Sequence, residues 1–262
     1  MKRIILVSII TCLAISSLQA IYYRIPYFAR PAALGEATVS VLGDATGIFT
    51  NPASINNKIV SFSLTEWLLD TRAGSCVGSY NVMDYFMIGG GVTYFSYGPM
   101  RYFDDEGNPG DYFSADLWQY RISLAKQLYN RISLGIGTKI LQQNIETVKE
   151  TKFLADFGAI YYSKLFDVGA SVHDPTDVSF DVGISAKPVK DLLLLVAMNY
   201  QDKAVMRAGI EYNFKPVSFR IGFNNKRLAG GIGYQQQGFS FDYALTDYGQ
   251  VGLTHQFSIT LK

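Results

Sequence analysis

RISLGIGTKI, residues 131 to 140, sets Ile132, Leu134, Ile136 and Ile140 on one side of an extended chain and Arg131, Ser133, Gly135, Gly137 and Lys139 on the other. Successive side chains of a strand point to opposite faces, so this two-residue period belongs to a strand that separates two unlike environments. AVMRAGIEYNF, residues 204 to 214, repeats it, with Met206, Ala208, Ile210, Tyr212 and Phe214 against Arg207, Gly209, Glu211 and Asn213. The same alternation runs through Val178–Ala186, Val217–Asn224 and Val251–Leu261. Runs of about ten residues match the length of a tilted transmembrane strand.

Working outward from these runs, the chain divides into about fourteen such segments. They centre near Ser63, Val77, Gly91, Ile122, Gly135, Phe157, Ala170, Gly183, Leu195, Gly209, Ile221, Gly231, Tyr243 and Gln256. An even count suits a closed antiparallel barrel. Short joints at Asn81–Asp84, Tyr129–Asn130, Ser163–Lys164, Pro188–Asp191, Lys215–Pro216 and Gln236–Gly238 are expected as periplasmic turns. The longest, Gly98–Ala115 and Gln142–Thr151, are expected as loops on the opposite side. The C-terminus then falls in the periplasm. Leu192–Leu195 is apolar on both faces, and the glycines of the second and third segments blur their alternation.

The fold class that follows is all-β: a transmembrane antiparallel up-and-down barrel over residues 58–262, with its apolar face on lipid and its polar face on the lumen. Arg131, Lys139, Asp181, Arg207, Glu211, Arg220 and Asp242 all take the polar register and are expected in the lumen. Salt bridging that holds a plug is one reading of them; a permeation path or anion site is the other.

Composition fits this class. Of 262 residues 48% are hydrophobic, 14% aromatic and only 17% charged, and Lys and Arg (23) balance Asp and Glu (22), so no sustained positive field marks a nucleic-acid binder. Residues 1–20, MKRIILVSIITCLAISSLQA, join a basic start to an apolar core and a small-residue end, the pattern of a cleavable export signal. Removal of that signal takes Cys12 with it and leaves Cys76 without an internal partner. His173 and His255 each stand alone in the sequence, and no nucleophile elbow, zinc motif or phosphate loop is present, so the reading is of a non-enzyme without metal or cofactor.

Residues 21–57 do not alternate and are expected to fold into the lumen as a plug. Within them, ARPAALGEATVSVLGDATGIFTNPASI runs from Ala29 to Ile55. Asp44 can cap a short helical turn over Ala45–Phe49, and Asn51-Pro52 would end it; capping chemistry and a gating role are both open for Asp44, Asn51 and Pro52. This stretch resembles the opening segment of the FadL-like outer-membrane superfamily, most closely its PorV/PorQ-type branch. Ala29, Arg30, Ala32, Ala33, Leu34, Gly35, Ala37, Val39, Asp44, Ala45, Thr46, Asn51, Pro52 and Ala53 match in register. The likeness continues through residues 111–141, ADFGAIYY from Ala155, FDYAL from Phe241 and LTHQFSITL from Leu253, while Ser54 stands where the family has glycine and the chain ends on Lys262 rather than an aromatic residue.

The PorV/PorQ resemblance implies a non-catalytic outer-membrane component of protein export, working with type IX-like secretion proteins or their cargo. The wider superfamily implies instead a passive conduit for hydrophobic small molecules, and a purely structural barrel is a third reading. All three imply outer-membrane lipid and the barrel-assembly machinery as partners. A greasy lumen pocket with an opening in the wall would favour transport; an apolar groove among the outer loops would favour protein binding.

Overall fold

The computed structural model describes residues 27–262 apart from 70, 83–85, 105, 130 and 175–177. The export signal and the first residues of the plug lie outside that set, as do parts of the turns at 81–84 and 129–130.

Among the described residues, fourteen antiparallel strands close into one barrel: β1 (Ile59–Glu66), β2 (Arg72–Val82), β3 (Phe86–Phe103), β4 (Pro109–Leu128), β5 (Ile132–Ile145), β6 (Val148–Tyr162), β7 (Phe166–His173), β8 (Ser179–Val189), β9 (Leu192–Tyr200), β10 (Ala204–Phe214), β11 (Val217–Asn224), β12 (Arg227–Gln236), β13 (Phe239–Asp247) and β14 (Leu253–Leu261). Each strand pairs with its sequence neighbours, and β1 meets β14 from Val60↔Leu261 to Glu66↔His255, which removes both sheet edges. Every expected centre lies inside a strand. No helix among the described residues is long and apolar enough to cross a membrane.

Alternation decides the two faces. In β11 Ser218, Arg220, Gly222 and Asn224 are buried inside, while Phe219, Ile221 and Phe223 stand exposed on the outer wall. An exposed aliphatic and aromatic outer wall is what a lipid-facing barrel requires. Aromatic rings gather toward the ends of that wall, including Tyr94 beside Trp118, Phe180 stacked on Tyr200 and Tyr234 near Phe239.

Both barrel termini and the short turns share one rim, here the turn rim; the opposite, hairpin rim departs from expectation. Residues 98–115 and 142–151 are mostly strand rather than loop. Met100 pairs with Phe113, Arg101 with Tyr112 and Ala115 with Ile145, and Ile145 meets Val148 across two residues. Tyr102, Phe103, Tyr112 and Phe113 in the first stretch and Ile145, Val148 and Thr151 in the second favour extended pairing, and β3 to β6 rise beyond their neighbours as a four-stranded extension. Asp104 closes its first turn, accepting from the backbone N–H groups of Glu106 and Asn108 and from the Asn108 side chain. Those bonds, with the Asn108 side chain foremost, hold its carboxyl below the ordinary carboxylate range.

Inside the barrel lies the segment from Tyr27 to Asn57. It begins with one helical turn, α1 (Ala29–Ala33), followed by two 3-10 turns over Ala45–Phe49 and Pro52–Ser54. Asp44 caps the first 3-10 turn through the Thr46 N–H, and Asn51 caps the second through the Ala53 N–H. The plug explains the odd pattern of β9: Leu194 meets the outside, while Leu193 and Leu195 are buried against Leu34, Ala37 and Val39 of the plug.

Candidate functional site: the plugged lumen

Backbone-to-wall contact sets the plug's position, and glycine makes room for it. A Cβ at Gly222 would meet the backbone of Leu34 and Gly35, one at Gly135 the backbone of Pro52 and Ala53, and one at Gly169 the backbone of Val39 and Ser40. Gly35 itself has φ +62°, ending α1, and a side chain there would fall 2.5 Å from the Phe223 carbonyl oxygen. Asn51 is fully buried; its amide donates to the Val39 carbonyl at 2.8 Å while its oxygen accepts from Ala53 N–H at 3.0 Å. The wall reaches in with hydroxyls: Ser133 donates to the Ala53 carbonyl at 2.6 Å, Ser171 to that of Thr50 at 2.9 Å, and Ser258 accepts from Ala29 N–H at 2.8 Å.

Charged side chains fall into two networks. The first lies toward the turn rim. Arg30 donates twice to Glu211, at 2.8 and 3.0 Å, and once to Asp44 at 2.9 Å. Glu211 also accepts from Arg220 at 2.6 Å, and Arg220 reaches Asp242 at 2.7 Å. A plug arginine thus completes a wall cluster that would otherwise carry two carboxylates on one guanidinium, and low dielectric makes such completion matter.

Toward the hairpin rim sits the second network. Asp156 takes Arg121 at 3.0 Å, Lys139 at 3.3 Å and His173 at 3.1 Å. His173 Nε2 stands 3.4 Å from Asp181, which also holds Arg207 at 3.1 Å. Arg207 in turn lies 3.7 Å from Glu36 of the plug, and Arg121 donates to the plug carbonyl of Ile48 at 2.9 Å.

Of the expected lumen charges, Lys139, Asp181, Arg207, Glu211, Arg220 and Asp242 enter these networks, and Arg30 and Asp44 join them from the plug. Arg131 does not. It is exposed in the turn before β5, where its backbone N–H closes the turn on Leu128, because the strand starts one residue later than the alternation suggested. Arg121, Asp156 and His173 are not among those expected charges; His173, solitary in sequence, is brought between two carboxylates by strand register. His255 lies on the outer side, 2.8 Å from the Tyr243 hydroxyl. Among the described residues no group of three or more His, Cys, Asp or Glu side chains could hold a metal ion.

An apolar cluster occupies the hairpin half of the inner wall. Ala73, Phe95, Leu117 and Leu141 are buried there, with Trp67, Tyr97 and Leu154 packed against them. Trp67 meets Tyr248 edge-on at 4.9 Å, and Arg227 lies 4.8 Å over the Tyr248 ring. Burial, with the Glu36 carboxylate nearby, raises the Tyr248 phenol above its ordinary pKa. Two cavities flank the plug: one of about 450 Å³ toward the turn rim and one of about 90 Å³ toward the hairpin rim. The wall beside the apolar cluster is closed, with β2 and β3 paired without interruption from Arg72↔Ser96 to Val82↔Phe86.

No protein-family model and no curated protein matches the sequence. Among solved structures the chain is similar to the Pseudomonas putida toluene transporter TodX, with a TM-score of 0.70 at 10% identity over 89% of this chain and 96% of that one. The monoaromatic hydrocarbon channel CymD gives a TM-score of 0.70 at 11% identity, covering 90% and 97% of the two chains. A Pseudomonas aeruginosa FadL homologue gives 0.65 at 11% identity, covering 89% and 97%. The chain therefore shares its fold, a closed antiparallel barrel, with these FadL-type structures. Nothing in these matches singles out the PorV/PorQ branch.

Proposed function

We propose that this protein resides in the outer membrane and is a non-enzymatic conduit for apolar small molecules, which enter at the hairpin rim and are held first by the inner-wall cluster of Phe95, Leu117 and Leu141. That cluster is the observation that carries the reading. Apolar side chains turned into the lumen beyond the plug, where no plug side chain of their cluster covers them, form a binding surface for apolar solutes, since water is displaced from both on contact. The likeness in fold to channels described as carrying toluene and monoaromatic hydrocarbons supports it. The charged lumen does not stand against it, because the charges are consumed in two paired networks around the plug.

The wall is shut in this state, so passage requires a local opening. Gly89, Gly90 and Gly91 of β3 face Ser79, Gly78 and Val77 of β2, which makes that part of the wall thin. The secretion role implied by the PorV/PorQ resemblance is the weaker reading: β3 to β6 offer a paired sheet rather than an apolar groove among loops.

Trp67 supplies a direct test. In a Trp118→Phe background it is the only remaining tryptophan, and it packs on the cluster. Toluene added to the detergent-solubilised protein is expected to shift Trp67 emission saturably, and Leu117→Arg is expected to abolish the shift. An unsaturable shift, equal in both proteins, would mean that the solute partitions into detergent only.

A further inference from the structure

Charge is divided unevenly along the barrel axis. At the turn rim, leaving aside the last residue, Lys58 precedes β1, and Lys126 and Arg131 flank the turn from β4 to β5. Lys164 stands in the turn from β6 to β7, Lys187 and Lys190 between β8 and β9, and Lys215 between β10 and β11. All seven are exposed, and against them stand two half-buried carboxylates among the described residues, Asp167 and Asp191. Asp84, in the turn from β2 to β3, lies outside the described residues. The extension at the hairpin rim has the reverse balance: Asp104, Glu106, Asp111, Glu146 and Glu150 outnumber Arg101, Lys149 and Lys152. The exposed ion pair Lys152–Glu150, at 3.4 Å, belongs to that rim, and none like it forms at the turn rim among the described residues.

The turn-rim cations keep apolar company. Lys58 Nζ lies 4.6 Å from the ring centre of Tyr80, which is exposed on the outer wall. Lys126 takes the outward register of β4, following Ile122 and Leu124. Tyr129, Leu165, Val189 and Phe214 are exposed close to Arg131, Lys164, Lys190 and Lys215 in sequence. An apolar body with a cationic tip, set at the edge of a lipid-facing wall, suits the headgroup region of a membrane: the body enters the acyl boundary and the tip reaches phosphate. A protein docked below the barrel would instead favour cations gathered around the mouth, whereas Lys58 and Lys126 belong to the outer wall.

We propose that the turn rim is a binding ring for acidic phospholipids, of the phosphatidylglycerol type, in the leaflet that it meets. Their net negative headgroups neutralise the unpaired cations and hold the barrel at a fixed depth. The ring lies outside the lumen and is independent of the conduit reading, so either can fail alone.

The test uses the full chain in vesicles of phosphatidylcholine that carry a trace of spin-labelled phosphatidylglycerol or of spin-labelled phosphatidylcholine. Electron paramagnetic resonance reads the share of each label immobilised on the protein. The native chain is expected to prefer phosphatidylglycerol by about twofold or more at low salt, with the preference shrinking in high salt. Replacing Lys58, Lys126, Lys164 and Lys215 by Gln should remove it. Replacing Arg72, Lys149, Lys203 and Lys226 by Gln makes the same change of charge at the hairpin rim and should leave it. Folding of each variant is checked by its shift on an unboiled detergent gel; should the first not fold, Lys58 with Lys126 and Lys164 with Lys215 are replaced as separate pairs, each expected to lower the preference. No preference in the native chain, or equal loss in the variants of both rims, overturns the proposal. Capture of poly-glutamate through the same lysines without any lipid preference also overturns it and assigns the rim to an acidic protein.

Discussion

Arg30 ties the plug to the wall through a paired guanidinium. Its planar fork spans Glu211 on β10 and Asp44 in the plug, a geometry that a lysine could not reproduce with one ammonium. Arg30→Met removes a charge-assisted set of bonds but leaves Arg220 on Glu211, so the expected loss is about 2 kcal/mol, well short of a fully unpaired buried carboxylate. Reversible denaturant unfolding in micelles measures it, and adding Asp44→Asn should restore part of the loss. A change within about 0.5 kcal/mol would show that the pair holds nothing. The partners at this scale were only half legible in sequence. Alternation places Glu211, Arg220 and Asp242 on the inner face, but which charge meets which depends on register between strands many residues apart. Asp156 shows the limit: nothing near it in sequence names Arg121 or Lys139, and all three meet only because β4, β5 and β6 pair as they do.

At the scale of elements, the strands were the most legible part of the molecule, because a wall between lipid and a polar interior imposes a strict two-residue period. The exceptions have a common cause. Where the plug presents its own apolar side chains, as Leu34 and Val39 do to β9, the inner face becomes apolar and the alternation fades. Where it presents backbone, the inner face becomes glycine. The hairpin-rim extension departs from the sequence pattern for a different reason: turn-like residues such as Gly98 and Pro99 sit in a bulge within β3 rather than at its end. The glycine contacts make a prediction at this scale. Gly222→Val puts a branched side chain where the backbone of Leu34 and Gly35 now runs, so the barrel should still form while the plug loses its seat. Cleavage after Glu36 by a glutamate-specific protease, resisted by the native protein, should then proceed, with the unboiled protein still migrating as a folded barrel. Continued protection of Glu36 would mean that the plug does not need that glycine.

On the scale of the whole molecule, three layers succeed one another along the lumen. An apolar surface lies at the hairpin rim, a plug bound by two charge networks fills the middle, and a polar cavity bordered by lysines opens at the turn rim. Such an order suits a solute that is taken up by apolar contact and cannot simply diffuse through water to the other end. The decisive measurement is uptake of labelled toluene by cells that carry the protein in their outer membrane, with the native chain and the Leu117→Arg and Leu141→Arg double variant at equal barrel abundance and empty vector as the baseline. Uptake is expected to be faster with the native chain than with empty vector and to fall to the vector rate in the double variant. Equal uptake in all three would rule out a conduit for apolar solutes.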